Sequence, residues 1–404
     1  MLCDSLSGIR ILDFTQLAAG PVCTMLLADM GADVIKVESP QGDLARKLGP
    51  PWAHGESVTF MAMNRNKRSI GIDLKKPEGV ELVLRLVRDA DVVVESFRPG
   101  VMERLGLGYE HLRRDRPALV YCAISAYGQD GPWRDKPGVD GVLQAVSGLM
   151  SISGEEGSAP SKALTPTVDM VTGFLALAAI TAALHQRDRT GTGQKLDVNM
   201  YASAIMLQQT SIASYLHTGV VPLRCGSAAP YAAPNEAFQA SDGYMMIAAY
   251  QADRWTKLCV AVGRPELAED PRFSDNTSRV SHRGELVQIL NAEFRHHTRE
   301  HWMDLFERED IICAAICDYS EVVASPQLAF GNMLVGVEHP VAGHVEMPAF
   351  VLGGPSRPAG VRLQPPRHGE HTEIILDELG LALGEIDALH EQGVVFSCNS
   401  LSQL

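Results

Sequence analysis

The 404-residue sequence lacks the features that mark several common classes of protein. Its eight cysteines are scattered without a Cys-x-x-Cys pair, so neither a zinc ribbon nor a disulfide framework is indicated. The net charge of −14 argues against a nucleic-acid binder, which would need a basic surface. No basic segment followed by an apolar one stands near the N-terminus, and the longest apolar run, Phe174 to Leu184, is far short of a membrane span. We therefore expect a reduced, cytoplasmic protein that binds neither nucleic acid nor a membrane.

Three motifs of common catalytic and cofactor sites are also missing. No Gly-x-Ser-x-Gly is present, so the nucleophile elbow of an α/β-hydrolase is not predicted. The turn after the first predicted strand, residues 15–20, has no Gly-x-Gly-x-x-Gly, which leaves a dinucleotide site unsupported. His297 and His301 stand four residues apart but lack the His-Glu-x-x-His order and a third ligand. The sequence therefore predicts no metal site.

What the sequence does contain is the pattern of an α/β protein. Its first half alternates short apolar strands with amphipathic helices, which is typical of a parallel sheet covered on both faces. The length exceeds the usual limit for one core, so we expect two lobes. We predict a large Rossmann-like lobe with a parallel sheet from residues 1–222 and 335–404, and a small α+β lobe with linkers from residues 223–334. The predicted strands are 9–14, 33–38, 69–73, 91–95, 119–125, 244–249 and two around residue 343; the predicted helices are 21–30, 77–89, one ending near 186, 200–216, 252–262, 282–294, 299–309, 371–379 and 383–391.

Asp169 is the most informative candidate residue. It directly precedes the apolar stretch Phe174 to Leu184, so a carboxylate is delivered to the start of a buried helix. Aspartate is a favoured N-cap, which is one interpretation. The other is a nucleophilic carboxylate, held by the helix N-terminus while apolar surroundings remove its water. Asp140, ahead of an apolar stretch that begins at Val142, could share the chemistry or be a second N-cap.

Basic side chains suited to phosphate groups follow several predicted strands. The carboxyl ends of strands are where open α/β sheets bind ligands, although scattered surface cations would give the same pattern. The candidates are Arg46, Arg65, Lys67, Arg68, Lys75, Lys76, Arg98 and Arg104.

From about Leu6 to Val395 the chain resembles the family III CoA-transferases, the CaiB/BaiF and formyl-CoA transferase type. The resemblance rests on several separate motifs spread over nearly the whole chain. The most specific segments are residues 11–15 with 19–21, 31–38, 66–70, 91–100, 190–194 and 369–372.

The resemblance implies an interlocked homodimer that uses a coenzyme A thioester as substrate and has no tightly bound cofactor. Asp169 matches the nucleophilic aspartate of the family. Asp140 corresponds to an acidic neighbour of that nucleophile in formyl-CoA transferases. Arg104, Phe97 and Lys75 fall where the family contacts CoA, and Arg104 is best suited to the phosphates because a guanidinium binds them in a bidentate manner.

Departures from the family pattern narrow the expected activity. Ser39 stands where some members carry a CoA-binding arginine, so the adenine side of the site must differ. Formyl-CoA transferases shield their intermediate with a glycine-rich loop, and no such run is found near Tyr244 to Trp255. Val139 replaces the histidine of α-methylacyl-CoA racemases. The stretch from residue 226 to 244 most resembles succinyl-CoA:glutarate and related dicarboxylate transferases.

The resemblance therefore implies transfer of CoA from an acyl-CoA, expected to be succinyl-CoA, to a carboxylic acid, expected to be a dicarboxylate. An aspartyl-CoA thioester on Asp169 would carry the CoA. Formyl or oxalyl transfer, racemisation of a 2-methylacyl-CoA and a non-catalytic acyl-CoA-binding subunit are the alternatives. A dicarboxylate substrate would need a cation for the carboxylate that does not react, and Arg224 or Arg254 would supply it.

Overall fold

The computed structural model describes residues 2–349 and 360–398. The chain forms two compact units. The larger comprises Met1–Ser147, Ala163–His217 and Pro326–Leu404, and the smaller comprises Gly148–Lys162 and Thr218–Ser325.

The strands occur mainly in the first half of the chain and around residue 240. They are β1 (Arg10–Phe14), β2 (Asp33–Glu38), β3 (Trp52–Ala53), β4 (Glu56–Ser57), β5 (Lys67–Ile72), β6 (Val92–Glu95), β7 (Val120–Ser125), β8 (Lys195–Asn199), β9 (Asn235–Ala240), β10 (Gly243–Ala248), β11 (Ile312–Ala315), β12 (Leu334–His339), β13 (Gly343–Pro348) and β14 (Val395–Phe396).

The helices separate these strands and form most of the smaller unit. They are α1 (Ala19–Asp29), α2 (Val58–Met61), α3 (Pro77–Arg88), α4 (Val101–Arg104), α5 (Tyr109–Asp115), α6 (Asp140–Val146), α7 (Thr167–Thr190), α8 (Met200–Leu207), α9 (Gln209–Thr218), α10 (Ala252–Ala261), α11 (Asn276–Ser281), α12 (Arg283–Phe294), α13 (Arg299–Arg308), α14 (Tyr319–Val323), α15 (Pro326–Phe330), α16 (Thr372–Glu378) and α17 (Leu383–Glu391).

A seven-stranded sheet lies at the centre of the larger unit, in the order β14-β5-β2-β1-β6-β7-β8. Its strands pair in parallel except β14, which runs antiparallel to β5. The central strands are buried along nearly their whole length because helices cover both faces of the sheet. The predicted α/β fold with a large parallel sheet is confirmed. Because the strand order reverses between β1 and β6, the crevice at their carboxyl ends is the topological switch point of the sheet.

Helix α7 packs against α1, β7 and β8. It is long and apolar enough, by length and composition, to cross a membrane. Its contacts with the sheet and with α1 are those of a core helix. Gly173 allows the close approach of α1, since a Cβ atom there would lie 2.8 Å from the backbone oxygen of Ala19. This contact places the first turn of α7, with Asp169, beside the switch point.

The smaller unit contains a three-stranded antiparallel sheet in the order β11-β10-β9. Helices α10, α12 and α13 supply most of its core, which is rich in aromatic rings stacked edge to face. The core aromatic side chains are Phe238, Trp255, Phe273, Phe294, Trp302 and Phe306.

Candidate active site

A cleft opens at the switch point of the large sheet. Two cavities adjoin there, and they share Ser96 after β6 together with the end of β7 and the segment before α6. The first cavity is lined by Gln16–Gly20, Ser96, Ile124, Ser125, Ala126, Gly138, Val139, Asp169 and Met200. Asp169 therefore faces the position where open α/β sheets bind their ligands.

The loop after β1 is fixed from three sides. The N–H of Gln16 donates to the hydroxyl of Ser96 at 3.0 Å, which joins this loop to the loop after β6. The N–H of Leu17 donates to Asp43 at 3.1 Å. Lys36, fully buried, donates to the carbonyl oxygen of Thr15 and pairs with Asp43 at 2.8 Å. These contacts hold the backbone of the loop rigid at the wall of the cavity.

Most of the cations that the sequence offers for phosphate binding have internal partners instead. Lys67 is buried and pairs with Asp13 at 3.0 Å, and burial lowers the pKa of Lys67 to about 8. Burial alone would raise the pKa of Asp13, but the ammonium groups of Lys67 and Lys36 hold it below its usual value. The remaining pairs are Arg46 with Glu38, Arg65 with Asp29, and Arg68 with Asp33 and Glu378. Arg46, Arg65, Lys67 and Arg68 are therefore engaged in ion pairs within the fold, which favours structural roles over phosphate binding for these four candidates.

Asp169 lies in the first turn of α7 but does not cap the helix. The N-cap residue of α7 is Pro166, whose side chain makes no capping hydrogen bond. Within residues 2–349 and 360–398, no hydrogen bond or ion pair to the carboxylate of Asp169 is found. The N-cap interpretation of Asp169 is therefore wrong. Its oxygen atoms are free to face the cavity.

Asp140 occupies the capping role at this helix, although it belongs to α6. Its Oδ2 accepts hydrogen bonds from the N–H groups of Val168 at 2.8 Å and Asp169 at 3.1 Å. Its Oδ1 accepts one from Nε2 of Gln144 at 2.5 Å. Asp140 is itself the first residue of α6 and makes no cap bond there. The two candidate carboxylates are thus brought together at the start of α7: that of Asp140 is engaged by three donors, and that of Asp169 has no partner in the part of the chain that the structure describes.

The surroundings of Asp169 change its acidity. Burial first, and repulsion from Asp140 second, raise the pKa of Asp169 to about 7. A carboxylate with this pKa exchanges its proton near neutral pH and is poorly solvated when ionised. The poor solvation suits a nucleophile, since an anion with little hydration attacks a carbonyl carbon more readily.

The first turn of α1 borders the same cavity. Ala18, at the N-cap, provides no side-chain cap, and Pro21 within the first turn has no N–H. The N–H groups of this turn and the positive end of the helix dipole lie at the wall that Asp169 faces. This turn can donate hydrogen bonds to an oxyanion that forms on a carbonyl in the cavity.

The second cavity, about 360 Å³, is cationic. Phe97 lines it, as do Arg98, Arg134 and Lys136, and the Lys136 ammonium group lies 4.5 Å from the ring centre of Trp133. Neither Lys136 nor Arg134 was predicted as a site residue. Lys136 stands four residues before the candidate Asp140, which could have pointed to it, whereas nothing in the sequence pointed to Arg134.

The loop that carries Phe97 is held by a buried carboxylate at the end of β6. Oε2 of Glu95 accepts a hydrogen bond from the N–H of Phe97 at 2.8 Å. Burial raises the pKa of Glu95 to about 8. Arg104 and Lys75 line neither cavity: Lys75 is exposed, and the side chain of Arg104 turns back towards Gly100.

The two arginines considered for a remote carboxylate are engaged within the smaller unit. Arg254 donates to the carbonyl oxygen of Asp310 and to Gln251. Arg224 donates to the carbonyl oxygens of Ser151 and Ser158, and its Nε atom has no partner among the described residues. Neither guanidinium is free as a whole.

Comparison with known proteins agrees with the motifs. The profile of CoA-transferase family III matches residues 6–372. The mouse succinyl-CoA:glutarate CoA-transferase is 38% identical over 398 residues, which cover 97% of this chain and 91% of that protein. The succinyl-CoA--D-citramalate CoA-transferase of Chloroflexus aurantiacus is 35% identical, over 96% of this chain and 98% of that protein.

A solved structure shares the fold. The CAIB/BAIF family protein from Brucella suis superposes with a TM-score of 0.83 at 34% identity, over 93% of this chain and 99% of that chain. The resemblance drawn from the sequence motifs is confirmed. The protein is an enzyme that belongs to CoA-transferase family III.

Proposed function

We propose that this enzyme moves CoA from succinyl-CoA to a free dicarboxylic acid through an aspartyl-CoA thioester on Asp169. The observation that carries the proposal is the free carboxylate of Asp169, with a pKa of about 7, in the cleft at the switch point. The mouse and Chloroflexus aurantiacus relatives are named for succinyl-CoA as the CoA donor and for glutarate or D-citramalate as the acceptor. Their names support both the donor and the dicarboxylate class of the acceptor.

The reaction begins with the ionised carboxylate of Asp169. It attacks the thioester carbonyl, and the C–S bond breaks to give a mixed anhydride and CoA thiolate. The thiolate then attacks the aspartyl carbonyl, which releases the donor acid and leaves the aspartyl-CoA thioester. An acceptor carboxylate attacks the carbonyl of this thioester, and the C–S bond breaks to give a second mixed anhydride and CoA thiolate. Attack of the thiolate on the acceptor carbonyl regenerates Asp169 and releases the new acyl-CoA.

Each tetrahedral intermediate carries an oxyanion that needs donors. The N–H groups of Ala19 and Gly20 in the first turn of α1 are our candidates, because that turn lines the cavity with Asp169. Asp140 supports the nucleophile indirectly, since it binds the N–H of Asp169 and adds the repulsion that keeps the carboxylate reactive.

Coenzyme A would occupy the cationic cavity beside the nucleophile. Arg98 and Lys136 are available there for the phosphates, and Phe97 offers an apolar surface. Arg134 lines the same cavity and also pairs with the exposed Asp135 at 3.6 Å. Arg104 and Lys75 remain proposed CoA contacts, from the family resemblance alone. We propose that the enzyme works without a tightly bound cofactor.

We also propose that the enzyme is the interlocked homodimer that the family resemblance implies. Apolar side chains are exposed on three consecutive helices of the larger unit, which is unusual for a monomer. They are Phe174 on α7, Met206 and Leu207 on α8, and Tyr215 and Leu216 on α9. A second copy would remove this surface from water.

Mass spectrometry of acyl-CoA products tests the proposed activity. Purified enzyme would be mixed with succinyl-CoA and a panel of mono- and dicarboxylic acids that includes glutarate, citramalate and oxalate. We expect a new dicarboxyl-CoA thioester from the wild type and none from Asp169→Ala. New thioesters from Asp169→Ala at the wild-type rate would contradict the role of Asp169.

The same assay separates the alternatives. Transfer to oxalate in preference to the longer dicarboxylates would favour the oxalyl type. Absence of any thioester exchange, with solvent deuterium entering the α-carbon of a 2-methylacyl-CoA, would favour a racemase. Val139 lines the cavity beside Asp169 and offers no proton acceptor, so we expect no such exchange.

A further inference from the structure

Gln144 on α6 is fully buried and uses both ends of its amide. Its Nε2 donates to Oδ1 of Asp140 at 2.5 Å and to the carbonyl oxygen of Ala163 at 3.4 Å. Its Oε1 accepts a hydrogen bond from the N–H of Ala163 at 2.9 Å. The N–H of Ala163 can only donate, so it fixes which end of the amide faces Asp140.

The contacts of Gln144 converge on the nucleophile from two directions. Through Asp140, the amide reaches the N–H groups of Val168 and Asp169, which share Oδ2 of that carboxylate. Through Ala163, it holds the start of the segment that leads into α7. Asp169 lies six residues beyond this anchor, in the first turn of the helix.

Three hydrogen-bond donors, from Gln144, Val168 and Asp169, converge on the carboxylate of Asp140 and fix its orientation. Loss of the Gln144 amide would free Oδ1 and allow the carboxylate to rotate away from the first turn of α7. The nucleophile would then lose the anchor of its own N–H.

We infer that Gln144 is a positioning residue that fixes Asp169 for attack by clamping Asp140 and the backbone of Ala163. The inference rests on the proposed function, in which Asp169 is the nucleophile. Gln144 itself touches no substrate in this account. Its effect falls on the chemical step, because a displacement of about 1 Å at a reacting atom costs on the order of 100-fold in rate.

Gln208 provides a matched control. It is also a buried glutamine, and its Nε2 donates to the carbonyl oxygens of Ser147 and Ala204. Its side chain makes no hydrogen bond to Asp140 or to the segment 163–169. Replacement by methionine removes the amide at either position and keeps the length of the side chain.

The test compares Gln144→Met with Gln208→Met in steady-state transfer from succinyl-CoA. We expect Gln144→Met to lower kcat about 10- to 100-fold while the KM for succinyl-CoA changes less than about 3-fold. Gln208→Met should keep kcat within about 3-fold even if its thermal stability falls equally. An equal loss of kcat in both variants, a wild-type kcat in Gln144→Met, or a loss confined to KM would overturn the inference.

Amide hydrogen exchange without substrate makes the result independent of turnover. The peptide covering residues 163–169 should exchange faster in Gln144→Met and at the wild-type rate in Gln208→Met. Unchanged exchange in Gln144→Met would also overturn the inference.

If Gln144→Met does not fold, Gln144→Glu replaces it, since this variant keeps an acceptor for Ala163 but has lost the donor to Asp140. A wild-type enzyme without transfer activity would refute the proposed function, while hydrogen exchange would still report on the clamp.

Discussion

Two carboxylates meet at the first turn of α7, and their oxygen atoms have different environments. Asp140 receives three hydrogen bonds, whereas Asp169 receives none within the described residues. Burial and the nearby charge of Asp140 therefore act on Asp169 without compensation, and its pKa rises to about 7. Two aspartates thus have different roles: Asp140, held by hydrogen bonds, orients the first turn of α7, and Asp169 is the proposed nucleophile.

A change of pH should reveal this arrangement. Asp169 attacks only when ionised, so the rate of the first half-reaction should rise with pH through about 7 and then level off. In Asp140→Asn the repulsion is removed, the pKa of Asp169 falls, and the midpoint should move to lower pH. The measurement is the initial release of free acid from acyl-CoA by each protein between about pH 5 and 9. A midpoint that stays in place or moves upward in Asp140→Asn would contradict this account.

The residue roles were only partly accessible from the sequence. The motif around Asp169 pointed to the nucleophile, but its distinction from an N-cap needed the geometry, because Pro166 and Asp140 decide that question. Lys67 belongs to the basic cluster at residues 65–68, which made it a candidate phosphate ligand, yet it is buried against Asp13. Gln144 gave no signal, since its function depends on contacts 4 and 19 residues away in the chain.

At the scale of elements, the contact between α1 and α7 places the site. Both helices start at the cavity, and Gly173 allows their backbones to meet. A Cβ atom at position 173 would also lie 3.2 Å from Cγ1 of Val22, so neither the side chain nor the backbone of α1 leaves room for it. The separation of the two helices sets the distance between Asp169 and the first turn of α1.

Gly173→Ala should destabilise the fold in spite of the better helix propensity of alanine. Overpacking costs about 1 to 3 kcal/mol, against a gain in propensity of about 1 kcal/mol. We expect the free energy of unfolding to fall by about 1 kcal/mol in urea denaturation. Gly284→Ala in α12 is the control, since nothing lies within 4 Å of a Cβ atom there, and it should be neutral or stabilising. Equal stability of Gly173→Ala and wild type would refute the close contact.

Element prediction succeeded where burial on both faces gives continuous apolar runs. The strand at Asp33–Glu38 was predicted with its observed bounds, and β6 within one residue. The missed strands include β8 and β14, which lie at the edges of the large sheet, the short strands β3 and β4, and β9, Asn-Glu-Ala-Phe-Gln-Ala, which has no β-branched residue. The helix predicted from 200 to 216 is interrupted at Gln208, which separates α8 from α9. No glycine or proline stands at the interruption, where the side chain of Gln208 donates to the carbonyl oxygen of Ser147.

At the scale of the whole molecule, the exposed apolar side chains on α7, α8 and α9 predict self-association. We expect light scattering after size-exclusion chromatography to give twice the chain mass of 43.7 kDa. Leu216→Arg should shift the enzyme towards the monomer, because Leu216 is 74% exposed within the apolar surface. Leu383→Arg is the control, since Leu383 is equally exposed, at 79%, on α17. A monomeric wild type, or the same effect from both variants, would contradict the proposed dimer.

The measurement that tests the central claim most directly follows oxygen from the acceptor acid into Asp169. The bridging oxygen of the second mixed anhydride comes from the acceptor carboxylate and stays on the aspartate when the thiolate attacks. Enzyme turning over succinyl-CoA with an ¹⁸O-labelled dicarboxylate should therefore gain about 2 Da per exchanged oxygen in the peptide that contains Asp169. Turnover without label in that peptide would show that Asp169 does not form the covalent intermediate.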